Sequence, residues 1–130
     1  MVKGTTPVAY LVCESSQTNK NRTGENYWDA YWKEIFSQLG YTATRYNSLD
    51  NLCKNLSACR IIFLGETEVN SCQKELLRSW VEKGGILVGS LTAGLDDLFG
   101  IISSELRYES YDTYTIQSLV AMKEQGFAYL

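Results

Sequence analysis

Carboxylates and hydroxyls carry what chemistry this chain can offer. There is no histidine among its 130 residues. That removes Ser–His and Cys–His nucleophile pairs, histidine-ligated metals and the commonest general base. The remaining polar groups gather in three short stretches: Glu14, Ser15, Ser16 and Thr18; Glu66, Thr67 and Glu68; and Ser90 and Thr92. Each stretch follows an apolar run of strand type. Carboxylates held close together raise one another's pKa and can work as an acid/base pair, or they can hold a divalent cation through oxygen. Stretches of this composition are also ordinary solvated loops. These residues are therefore candidates for binding a small polar ligand. No catalytic residue, metal ligand or cofactor is assigned, and the balance is against enzymatic activity.

Cys13, Cys53, Cys59 and Cys72 show no C-x-x-C spacing of a metal or redox site, and they read as free, mostly buried thiols. Hydrophobic residues make up 45% and charged residues 21%, ordinary for a globular domain able to bury one core. A net charge of −3 argues against a nucleic-acid partner, because phosphate binding wants a basic patch. No apolar run approaches the roughly 18 residues of a membrane span, and the first residues lack the apolar core of a signal peptide. The expectation is a single cytoplasmic domain over residues 1–130, or one cut from a longer chain.

The stretch 60–90 positions most of these groups. Ile61-Ile62-Phe63-Leu64 is an apolar run closed by Gly65. A helix follows, with Asn70 and Gln73 placed for a capping box and Leu76, Leu77, Trp80 and Val81 as its buried stripe. Gly84-Gly85 ends it, and Ile86-Leu87-Val88 makes a second run before Gly89-Ser90. Two buried strands joined by a helix predict a parallel sheet covered by helices.

Upstream, Val8 to Val12 predicts a first buried strand and Cys13 to Gly24 a long polar loop. Glu25 to Leu39 predicts a helix whose stripe of Tyr27, Trp28, Tyr31, Trp32, Ile35, Phe36 and Leu39 packs on the sheet. Tyr41 to Tyr46 predicts a strand near the sheet edge, and 47–56 a turn with a short helix. Downstream, Leu91 to Gly94 reads as a loop and Leu95 to Phe99 as a helical turn stopped by Gly100. Leu106 to Gln117 reads as a bent strand or hairpin, 118–125 as a short helix and Phe127 to Leu130 as a buried last strand.

The segment from Leu77 to Val88, with Val81-Glu82-Lys83-Gly84-Gly85 at its centre, resembles the helix, V-x-x-G-G, strand signature of class I glutamine amidotransferase-like domains, which have a flavodoxin-like fold. It is also similar to the middle domain of some β-galactosidases. Asp97-Leu98-Phe99-Gly100-Ile101 resembles the Leu-Phe-Gly-Val segment that often follows. The likeness spans about Val8 to Ile101. It implies an α/β three-layer sandwich with helices on both faces and strand order 2-1-3-4 plus later strands. Catalytic members carry a cysteine in a tight elbow after a strand, with a later His and Glu. The matching elbow here, Gly89-Ser90-Leu91-Thr92-Ala93-Gly94, has no cysteine. The resemblance thus implies a degenerate, non-catalytic member, a binding or assembly module in a carbohydrate-related protein. Ser15-Ser16-Gln17-Thr18-Asn19 also resembles the phosphate loop of flavodoxins. A small enzyme or flavodoxin-like cofactor binder using the loops after the first, third and fourth strands is the alternative. Expected partners are a protein, including a second copy, or a small polar ligand, with no membrane.

In open α/β sheets ligands bind beyond the carboxyl ends of the strands, where the strand order reverses. For order 2-1-3-4 that point lies between the first and third strands, and it predicts that Glu14 to Asn19, Gly65 to Glu68 and Ser90 to Gly94 converge.

Overall fold

A computed structural model describes residues 7–102. These divide between two compact units after Leu95. The first holds four strands, β1 (Val8–Leu11), β2 (Thr44–Tyr46), β3 (Ile61–Leu64) and β4 (Ile86–Gly89), in the order β2-β1-β3-β4. Every pairing is parallel: Ala9 sits opposite Thr44 on one side and Ile62 on the other, and Ile62 faces Leu87. Five α-helices occur among the described residues: α1 (Glu14–Thr23), α2 (Trp32–Gln38), α3 (Leu49–Cys53), α4 (Ser71–Glu82) and α5 (Asp96–Phe99), the last in the second unit.

Chirality assigns the layers. Parallel crossovers are right-handed almost without exception. The chain steps one way across the sheet from β1 to β2 and the other way from β2 to β3 and from β3 to β4. So the crossover that carries α1 and α2 runs on one face, and α3 and α4 lie on the other. Tyr10, Val12, Tyr27 and Phe36 form a buried cluster on the first face, with Val8, Trp32 and Phe63 packed against it. Its rings interlock: Phe36 lies 5.5 Å from Tyr10 and 5.0 Å from Phe63, and Trp32 lies 5.3 Å from Phe63. The alternate residues Ala9, Leu11, Ile62 and Leu64 point the opposite way and are almost fully buried, as are Leu52 of α3 and Leu77 of α4. The expected α/β fold and strand order are what the structure has.

α4 forms as its sequence predicts. Asn70 accepts from the Gln73 N–H, and the Gln73 side chain accepts from the Asn70 N–H. Trp80 is buried at its far end, its Nε1 donating to the Cys59 carbonyl at 3.1 Å. Gly84 has φ 102, and a Cβ on Gly85 would overlap the Trp80 ring, so both glycines are required by the turn into β4.

Several expectations are corrected. Residues 14–23 are helical rather than a loop; α1 buries no residue, so no apolar period announces it. The expected helix from Glu25 begins later and in two pieces, a 3-10 turn at Trp28–Tyr31 and then α2. Its stripe is only partly covered: Tyr27 and Phe36 are buried, whereas Trp28, Tyr31, Ile35 and Leu39 are exposed, Trp28 by 59% and Leu39 by 64%. In α4 the stripe narrows to Leu77 and Trp80, with Leu76 exposed. β4 was expected to be buried, yet Ile86 is 55% exposed and Val88 37%, because β4 is an outer strand among the described residues. β2 is shorter than expected but does lie at an edge. The strand or hairpin of 106–117, the helix of 118–125 and the last strand of 127–130 lie outside the described residues.

Candidate functional site

The three predicted stretches do meet beyond the carboxyl ends of the strands, and they meet largely by engaging one another. Lys20 of α1 reaches Glu66 at 2.9 Å and Glu25 at 3.0 Å. Ala93 N–H donates to Thr67 O at 2.9 Å and Val69 N–H to Ala93 O at 3.0 Å, which zips the two later loops together beside the Glu68–Ala93 bridge. Thr92 Oγ1 donates to Gly65 O at 2.8 Å. Glu14 turns toward the opposite edge, 3.9 Å from Arg45. The two carboxylates named first by the sequence are thus drawn to different cations and form no acid/base pair. Thr18 donates back to Glu14 O within α1. Ser16 and Glu66 share a shallow hollow of about 260 Å³ with Asn19, Lys20, Thr23 and Glu25. Residues 15–19 lie inside α1, so they form a helix and not a phosphate-binding loop. Among the described residues no group of three Cys, Asp or Glu side chains is placed to hold a metal ion.

The sequence did not single out Asp29. It sits in the 3-10 turn before α2 and is only 4% exposed. Gly65, the residue after β3, lies against it, and a Cβ there would overlap the Asp29 carboxyl; only glycine lets the two approach. The Glu66 N–H donates to Asp29 Oδ1 at 3.4 Å. Oδ2 and the Nε1 of Trp32 are both shielded from solvent and neither makes a well-aligned hydrogen bond, although the Trp32 and Tyr27 side chains lie close enough to the carboxyl to act on it as donors. Burial pushes the Asp29 carboxyl above its usual range; the Glu66 N–H and the nearby Tyr27 and Trp32 donors hold it down in part, while the Glu66 charge pushes it further up.

Asp29 and Trp32 line one hollow of about 380 Å³, completed by Trp28, Tyr31, Ile35 and Ser90. That volume lies within the roughly 300–1,000 Å³ of small-molecule sites. Its position above Gly65 and beside Ser90 places it at the carboxyl ends of β3 and β4, the side of such sheets where ligands bind. Two other hollows fit less well. One of about 430 Å³ runs along α2 between Tyr31 and Leu39. One of about 550 Å³ lies at the amino ends of β3 and β4, against Arg60, Gly85 and Ile86. The sequence held one signal for Asp29: it falls on the buried side of an aromatic-rich segment, three residues before Trp32 and seven before Phe36.

Tyr27 joins this region to β1. Its hydroxyl accepts from the Cys13 N–H at 2.8 Å, and burial chiefly raises its pKa. All four cysteines are free. Burial pushes the Cys13 thiol up, but hydrogen bonds from the side chains and N–H groups of Ser15 and Ser16 outweigh it and leave the thiol below its ordinary value. Cys53 and Cys59 are raised by burial.

The described residues form an α/β open sheet with an aromatic-walled hollow at its carboxyl edge. The chain matches no protein-family model, no curated protein and no solved structure. No helix among the described residues is long and apolar enough to cross a membrane.

Proposed function

We propose that this chain is a non-catalytic, glutamine amidotransferase-like binding module whose ligand enters the hollow above Gly65. The observation that carries the reading is the hollow itself, walled by Trp28, Tyr31, Trp32 and Ile35 at the carboxyl ends of the strands.

Two further features support it. The elbow after β4, where the resemblance places a nucleophilic cysteine, is tight here as well: Leu91 has φ 58, a left-handed conformation uncommon for a branched apolar residue. Leu91 is apolar and exposed, and the chain has no histidine to activate a nucleophile nearby. The predicted polar edge is also consumed by internal ion pairs and hydrogen bonds.

A small enzyme is the second reading, favoured by one observation. A buried carboxyl raised above its usual range, beside a hollow, suits a general acid. Titrating ¹⁵N-labelled protein with a library of small polar and aromatic fragments, beside an assay of ammonia release from glutamine, separates these readings. The binding module predicts saturable shifts centred on Trp28, Trp32 and Ser90, with no ammonia above buffer. Ammonia release, or shifts centred on Ser16 and Glu66, would sink it.

A further inference from the structure

Leu91 stands out on the surface. Its backbone is left-handed at φ 58, a conformation that crowds a Cβ, and its apolar side chain is 63% exposed. Within a single chain the residue gains little burial in return for that strain. Nor is it loose. On one side the Ser90 N–H donates to Leu64 O at 2.9 Å, and on the other Thr92 Oγ1 donates to Gly65 O at 2.8 Å. The elbow therefore holds a leucine out to solvent in a fixed place. Strain that the surroundings fix in this way belongs to function more than to packing.

Beside Leu91 lies the hollow that Ser90 helps to line, about 380 Å³ between Trp28, Tyr31, Trp32 and Ile35. Tyr31 and Ile35 also line the next hollow along α2, which reaches Leu39, so the apolar surface continues from Leu91 to the end of that helix. A knob and a hole side by side on one surface are what a two-fold contact between identical chains needs, because each patch must meet itself. Area points the same way. The uncovered parts of Trp28, Tyr31, Ile35, Leu39 and Leu91 come to roughly 500 Å², on a scale where a whole aromatic side chain buries about 150–250 Å². Interfaces are about 56–65% apolar, so this patch with its polar rim approaches about 800 Å² per copy, the area of a standard stable contact. The rim suits a copy as well: the neighbours Lys33 and Glu34 are both exposed on α2, so each chain offers the other one charge of each sign.

Resting on the proposed binding role of this hollow, we infer that its occupant is a second copy of the chain. In a two-fold pair, Leu91 of each copy enters the hollow between Trp28, Trp32 and Ile35 of the other.

Sedimentation equilibrium on the full chain tests the pair. The average mass should rise from 14.7 kDa toward twice that value as concentration goes from micromolar to millimolar. Leu91→Asn removes the knob and suits the left-handed backbone better. It should weaken pairing by about tenfold or more, while the urea midpoint at micromolar concentration holds or rises. An equal mixture of wild type and variant should pair with intermediate strength, since one of the two knob contacts survives. Trp28→Ala, an exposed change on the other half of the contact, should weaken pairing likewise. A mass fixed at 14.7 kDa throughout, growth beyond a pair, or pairing that both variants leave intact overturns the inference. In any of those cases the fragment titration separates it from the binding role. Saturable shifts at Trp28 and Trp32 leave the binding module standing with a smaller ligand, and their absence overturns both.

Discussion

Asp29 is where the chain spends stability on a polar group. Its carboxyl is raised in the folded state, chiefly by burial, while an unfolded chain would show the ordinary value. The folded protein therefore binds this proton more tightly than the unfolded one. The associated stability is fully present below the unfolded pKa and is lost as pH rises through the raised folded value. Urea unfolding of the wild type and Asp29→Asn across pH 4 to 8 tests this. The wild type should gain stability relative to the variant as the solution is acidified, because only the wild type has this carboxylate to neutralise. A constant difference across the range would show that the carboxyl is not perturbed. A second residue-scale expectation concerns thiols. At neutral pH iodoacetamide should label Cys13 well ahead of Cys53 and Cys59, since the thiolate is the reacting species and its fraction is raised only at Cys13 among these three. Peptide mapping of partially labelled protein reads the order directly.

At the scale of elements, energies should follow burial rather than residue type. Leu77→Ala, in the centre of α4, should cost about 2–5 kcal/mol. Asn70→Ala should remove the cap at a cost of about 1 kcal/mol. Ile86→Ala on the exposed outer strand should cost well under the Leu77 change, although both remove three carbons. Denaturant midpoints at unchanged slope would measure all three. The same contrast explains what could be read beforehand. β1, β3 and α4 were legible because burial writes itself as apolar runs and as Leu77–Trp80 spacing. α1 was not, because it buries nothing: it is ended by the left-handed Gly24 and carries Glu14 and Lys20 at the ends its dipole favours, a pattern shared with many loops. The candidate hollow was harder still. Its aromatic residues look like core residues in sequence, and only the structure shows Trp28 and Tyr31 uncovered. Asp29 acquires its meaning from Gly65, thirty-six positions away, a contact no local pattern records.

For the whole molecule, charge and exposed apolar surface act together. The sequence pI is about 4.9. Near that pH net repulsion between copies vanishes, while Trp28, Tyr31, Ile35 and Leu39 remain exposed. Sedimentation should show more self-association near pH 5 than near pH 8, and Leu39→Lys should reduce it; equal behaviour at both values would count against this. The central place of β1 has a consequence for how the chain is made. Its two hydrogen-bonded neighbours are both synthesised later, and Val8 pairs with Ile61, fifty-three positions downstream. At about 5–20 residues per second that is roughly 3–10 s during which Ala9 to Val12, destined for the deepest part of the core, have no second edge to lie against. Growing on the ribosome, the protein must carry its future centre bare, a window in which a holding chaperone would matter more than at any point after release.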